Sequence, residues 1–178
     1  MNRWIESFDV EIHGTRPLLM HHISGLGENK GRSAKYDSQE DAEAALYKST
    51  NGEIIVPAIN LLSCLRMAGV DFKVPGKGRR TYKNYIYSGI EISPADIPLT
   101  HGGYEIDIRP VTIQKARILR SRPRFDEWSL RFQLDILDPI ITNNAVKEIM
   151  YSAGRFIGLC DFRPLFGLFE ITKFEVIQ

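Results

Sequence analysis

Cysteine is almost absent: Cys64 and Cys160 are the two in 178 residues. They lie far apart and form no CxxC pair, which excludes a disulfide framework and a cysteine zinc site. Cys64 falls inside an apolar helical pattern and reads as a packed side chain rather than a nucleophile. Long apolar runs are also missing, and none approaches the roughly 18 residues that span a bilayer. The opening Met1-Asn2-Arg3-Trp4 has no apolar segment of a secretory signal, so the expected compartment is the cytoplasm. No motif for a cofactor or a metal is present, and none is expected.

Net charge is scarce too, at +1. The whole-chain field therefore argues for no partner, but the distribution is uneven. Residues 73–124 hold eleven of the 23 Lys and Arg and four of the 22 Asp and Glu. A near-neutral total thus conceals a basic region. Apolar residues make up 43% of the chain, enough for a core, and the length suits a single domain over 1–178.

Hydrophobic period assigns most elements. Phe8, Val10 and Ile12 alternate with polar residues and predict a strand. The glycine-rich 25–33 segment reads as a loop. Asp37 and Glu40 form a capping box for a short helix running to about Tyr47. Asn51-Gly52 is a tight turn before a strand over 53–56. Pro57 opens a second helix with Leu61, Leu62, Leu65 and Ala68 on one face and Gly69 as its stop. Residues 14–56 are thus read as an inserted loop with a short helix. Periodicity fades over 72–104, which is read as a thumb-like, protruding insertion. Ile106–Arg120 reads as extended with a phase slip near Lys115, followed by a connection over Ser121–Arg124. Leu130, Phe132, Leu134 and Ile136 mark the clearest strand. Thr142 or Asn143 caps a helix bearing Val146, Ile149, Met150, Ala153 and Ile157. A final strand carries Phe169, Ile171, Phe174 and Val176, with a slip near Thr172. The order of long elements is strand, helix, strand, strand, helix, strand. That order predicts an α+β, ferredoxin-like split βαβ fold, RRM-like, with an antiparallel sheet, helices on one face, and insertions.

Two motifs sit on this plan. The first is the run Asn51-Gly52-Glu53-Ile54-Ile55-Val56-Pro57, which leads into Leu61, Leu65 and Arg66. The second is the glycine-rich stretch from Gly154 through Gly158 to Gly167. Together they resemble signatures of the RAMP superfamily of CRISPR-associated proteins, although Ala58-Ile59-Asn60 replaces the family's Gly-Ser-Ser. The resemblance implies a modified RNA-recognition fold that binds along an RNA backbone, and assembly with itself or with related subunits on a single strand. In some members of that family a loop aspartate before the first helix cleaves RNA.

Candidate binding residues follow. Gly158 and Gly167 are read as phosphate-cradling through their backbone amides, with Arg155 and Arg163 adding charge. Lys73, Lys77, Arg79, Arg80 and Lys83, interleaved with Tyr82 and Tyr85, are read as a grip on single-stranded RNA or DNA through phosphates and stacked bases. Arg117, Arg120, Arg122 and Arg124 form a basic strand and turn, and Arg66 matches the family's helix arginine. Two alternatives stand beside this reading. One is an endoribonuclease using His22 or Asp37 as general base. The other is a protein-interaction module without nucleic acid. His21, adjacent to His22 after the first strand, could share that acid–base chemistry, whereas His13 and His101 have no evident partner.

Overall fold

In a computed structural model the chain is described over residues 5–22, 37–113 and 116–177. The loop expected at 25–33 and the slip expected at Lys115 lie outside the described residues. The fold is α+β. Its main sheet has six strands and is antiparallel. Strand β8 (Trp128–Ile136) and strand β1 (Glu6–Gly14) pair at its centre, from Glu6 opposite Ile136 to His13 opposite Ser129. Strand β9 (Phe169–Val176) flanks β1. The expected slip at Thr172 is real. Glu11 pairs with Lys173 and Ile12 with Ile171, so Thr172 is the extra residue of a bulge.

The outer edge of β8 is shared. Strand β4 (Ile90–Ser93) pairs with its C-terminal half and strand β5 (Asp96–His101) with its N-terminal end. Strand β3 (Ile55–Pro57) then pairs with β5. In ferredoxin-like terms the second strand is therefore 90–101, not Ile106–Arg120. The thumb reading of 72–104 is corrected accordingly. Tyr82, Ile86, Ile90, Ile92, Ile97 and Leu99 of that segment are all buried in the core. What projects is the short polar run between Val74 and Thr81, where every residue from Pro75 to Arg80 is exposed.

Residues 105–125 form a separate unit. Strand β6 (Glu105–Ile113) pairs along its length with strand β7 (Ala116–Phe125), from Glu105 opposite Arg124 to Ile113 opposite Ala116. The expected single extended segment is thus a long hairpin, and Ser121–Arg124 is strand rather than connection. A two-residue strand β2 (Leu18–Leu19) completes this second sheet beside β7.

Helix α1 (Ser38–Ala44) is capped as expected. The Asp37 carboxylate accepts from the amides of Gln39 at 2.9 Å and Glu40 at 3.2 Å. It stops short of Tyr47. Helix α2 (Ala58–Ala68) begins at Pro57 and ends on Gly69, burying Leu61, Cys64, Leu65 and Ala68. A one-turn helix α3 (Ile86–Gly89) precedes β4. Helix α4 (Asn143–Ser152) is capped by the Thr142 hydroxyl and continues into a π turn over Ala153–Ile157. The helices cover the sheet face that presents Phe8, Val10 and Ile12, and one cluster joins both layers. At roughly 1.5–3 kcal/mol for each fully buried aliphatic side chain, this shared core is the main source of stability. No helix among the described residues is long and apolar enough to cross a membrane.

Candidate nucleic-acid interface

Side chains alternate along a strand, so the residues facing away from the helices can be read directly. On the open face of the main sheet these are Ser7, Asp9, Glu11, Glu91, Ser129, Arg131, Gln133, Asp135, Glu170, Lys173 and Glu175. Carboxylates outnumber Lys and Arg, and His13, opposite Ser129 on the same face, has its ring engaged with Glu11 at 3.0 Å. Both cations are already engaged. Arg131 lies 2.6 Å from Asp9 and Lys173 lies 2.8 Å from the same carboxylate. Hydrogen bonds from Arg131 and then Lys173 hold the Asp9 carboxyl well below the usual carboxylate range. Asp135 is buried and bonded by the Ser7 hydroxyl and, at 2.8 Å, by the Gln133 amide. A face of this charge repels a phosphate chain, and among the described residues it offers no Phe, Tyr or Trp ring on which a base could stack.

The hairpin arginines are also engaged. Arg120 lies 3.2 Å from Asp41 of α1, whose other carboxylate oxygen accepts from the Ser121 amide at 2.7 Å. Arg122 is 4% exposed and lies 2.7 Å from Asp161. Arg124 pairs with Glu105 at 2.5 Å and Asp126 at 2.8 Å. In the sequence Arg120 and Arg122 look like a phosphate-binding row. Here they fasten α1 and the glycine-rich loop to the hairpin instead. Removing one partner of such a partly buried pair leaves a poorly compensated charge, which is why these contacts are structural first. Arg117 is exposed further along β7.

The glycine-rich loop is a closed structure. Gly158 donates to Ala153 at 2.9 Å, Leu159 to Gly167 at 2.9 Å, Asp161 to Leu19 at 2.9 Å, and Gly167 to Pro17 at 2.8 Å. The expected phosphate cradle at Gly158 and Gly167 is therefore corrected, because both amides already donate to carbonyls. The glycines serve close approach. Gly158 has φ of 82° and Gly167 of 73°, and a Cβ on Gly167 would lie 2.1 Å from the Leu159 carbonyl oxygen. The loop is held down by arginine–aromatic contacts. The Arg109 guanidinium lies 4.9 Å from the Phe166 ring centre, and that of Arg122 lies 5.1 Å from Phe162. Asp161 completes the clasp. Burial alone would raise its carboxyl pKa, but the bond with His21 and the charge of Arg122 outweigh burial and lower it. Arg163 and Arg155 remain exposed on this side.

The segment after α2 is different. Its base is fixed: Val74 donates to Arg80 at 2.9 Å, and Lys83 donates to the Gly69 carbonyl at 3.1 Å. Lys73, Lys77, Arg79 and Arg80 are exposed upon it. Among the described residues, no carboxylate lies within ion-pairing distance of these four, or of Lys83, Arg155 or Arg163. Tyr82 is 4% exposed and packs into the core, so it is not a stacking residue; Tyr85 is half-buried against the same cluster. Both close the core over the end of α2. Tyr87, which recurs with Tyr82 and Tyr85 in the sequence, is instead 51% exposed beside Arg66 of α2.

These cations do not converge on the sheet. The Lys73–Lys83 group sits at the C-terminal end of α2. Arg163 belongs to the loop that α2 meets at its other end, where the Asn60 amide reaches the Cys160 sulfur at 3.8 Å. A helix of this length spans about 16 Å. The expected catalytic candidates are not assembled either. The Asp37 carboxylate caps α1. The His22 ring stands edge-on to Tyr47 at 5.1 Å. Burial pushes the thiols of Cys64 and Cys160 up to about 12, so both are protonated at neutral pH. Among the described residues, no group of three His, Cys, Asp or Glu side chains is arranged to hold a metal.

No protein-family model matches the chain. No curated protein matches it either. Among solved structures, the fold is similar to that of a chain in the cryo-EM structure of the Type III-B Cmr-beta bound to cognate target RNA, with a TM-score of 0.54 and 15% identity. The alignment covers 97% of this chain and 61% of that one, so this chain spans somewhat less than two thirds of its length.

Proposed function

We propose that this protein binds single-stranded RNA through the backbone, as a RAMP-like subunit of a CRISPR-associated assembly. The observation that carries the reading is the set of unpaired cations on the helix side, Lys77, Arg79, Arg80 and Lys83, on a segment pinned to α2. Arg155, Arg163 and Arg66 extend the same character along the helix layer. Cations held away from carboxylates, on a fixed base, are what phosphate binding requires. The motifs at 51–66 and 154–167 and the fold shared with a chain of an RNA-bound assembly support the choice of RNA. The binding surface in this proposal is the helix layer, not the sheet. Self-association or association with related subunits is part of the reading. It is supported by Ile108 and Leu119, which stand 49% and 51% exposed on the hairpin. Cleavage is not part of it, because Asp37 is engaged as a cap.

The test is equilibrium binding of a fluorescent 12-nucleotide single-stranded RNA at two salt concentrations. Binding that weakens by about 50-fold or more between 50 and 200 mM salt is the expected result for four or more phosphate contacts on a single strand. An affinity that does not change with salt, or no binding at the lower salt, sinks the proposal.

A further inference from the structure

We infer that Tyr87, with Arg66 behind it, is a stacking platform for one RNA base. This rests on the RNA-binding reading above and adds a base subsite to its phosphate contacts. An exposed tyrosine on a soluble domain is ordinary, but this one is held in a fixed orientation. Its hydroxyl lies 3.1 Å from the Ser63 hydroxyl on α2. The Arg66 guanidinium carbon lies 5.2 Å from its ring centre. Its short helix is anchored by Ile86, which is fully buried, and by Gly89, where a Cβ would meet Ile141 at 2.6 Å. The ring is therefore oriented in advance and loses little freedom on taking a ligand.

The surroundings choose the ligand. Lys83 lies four residues before Tyr87, in the 3-10 turn Tyr82–Asn84 that leads into its helix, and Arg80 three residues before Lys83. A phosphate chain following these cations passes the ring within one or two nucleotides. Arg66 can remain against the ring while a base occupies the exposed side. A guanidinium and a base on opposite faces of a tyrosine are both favourable contacts. Met67 on α2 and Val70 just past its end, 46% and 45% exposed, give the patch some apolar character. A protein partner would use that character. The unpaired cations around it favour a nucleic acid instead, and the protein alternative becomes an outcome of the test. Stacking selects for a base of any identity, so no sequence preference is expected here.

The experiment compares the unaltered chain with Tyr87→Ala and Tyr87→Phe on two oligonucleotides, a 12-nucleotide single-stranded RNA and an abasic version with the same phosphates. Tyr87→Ala should weaken binding to the RNA by about 5- to 100-fold and leave the abasic strand unchanged. Tyr87→Phe should retain most of the affinity. Circular dichroism of both variants should match the parent, since Tyr87 is half exposed. If Tyr87→Ala leaves RNA affinity unaltered, or weakens both strands equally, the platform is wrong while the phosphate reading stands. If it alters only the size of the protein on a column, the patch is a protein contact and the inference falls. If the parent chain binds neither strand, both readings fall together.

Discussion

Reversing Lys77, Arg79 and Arg80 to glutamate is expected to lower affinity for single-stranded RNA by about 100-fold or more, and to leave the fold intact. Each side chain is exposed and has no carboxylate partner among the described residues. Reversal therefore removes three attractive charges and adds three repulsive ones without breaking an ion pair. Counterion release on a single strand contributes roughly 0.7 to the logarithmic salt slope per phosphate, so the slope should become shallower by about 2. Exposed substitutions of this kind change stability by about 0.5 kcal/mol or less each. For a domain of this size the melting temperature should then move by no more than a few degrees. Fluorescence anisotropy across a salt series, paired with a thermal melt, makes the measurement. Undiminished affinity with an unaltered melt would show that these cations are only a solvated loop.

Replacing Gly167 with alanine should destabilise the fold by about 2–6 kcal/mol, combining backbone strain with overpacking. Two separate causes act at this position. The backbone has φ of 73°, a region that costs an L residue energy. The new Cβ would also sit 2.1 Å from a main-chain oxygen, which cannot rotate away as a side-chain tip can. The loop must open, and the Leu159 amide bond to the Gly167 carbonyl goes with it. Opening also pulls on the Asp161 contacts with Leu19 and Arg122 that tie the loop to the second sheet. The melting temperature should fall by about 5–20 °C. Gly52 makes the internal control. Its φ is also positive but nothing lies within 4 Å of a Cβ there, so Gly52→Ala should cost only the strain component. A Gly167→Ala variant that melts with Gly52→Ala would mean the loop is far less tightly closed than described.

The amphipathic elements were legible in the sequence for a simple reason. Strands β1, β8 and β9 and helices α2 and α4 each bury one regular face, so period alone reveals them. Even the Thr172 bulge shows as a phase slip, because the inward face must be kept on both sides of it. Strands β4 and β5 were not legible. Pro94 and Pro98 interrupt them, and each is too short for a period to register. Pro98 is tolerated because it lies opposite Ile55 near the rim of the sheet. The long hairpin was read as one strand because its partner runs back through residues that look like a polar connection.

The basic region was visible, but its division was not. Arg120 and Arg122 look like Arg79 and Arg80 in composition. What separates them is the arrival of Asp41 from α1 and Asp161 from the glycine-rich loop. Those partners are remote in the chain, so only the fold reveals which arginines are neutralised. Tyr82 and Tyr87 show the same limit. Spacing alone does not say that Tyr82 turns into the core while Tyr87 faces water.

The location of bound RNA is the most direct test of the account. Photocrosslinking of a 4-thiouridine-substituted single strand, with the attachment sites found by mass spectrometry, reads it. Crosslinks are expected to cluster between Arg66 and Tyr87, around the unpaired cations. Crosslinks concentrated at Ser7, Asp9, Arg131 and Gln133, on the acidic face of the main sheet, would contradict it.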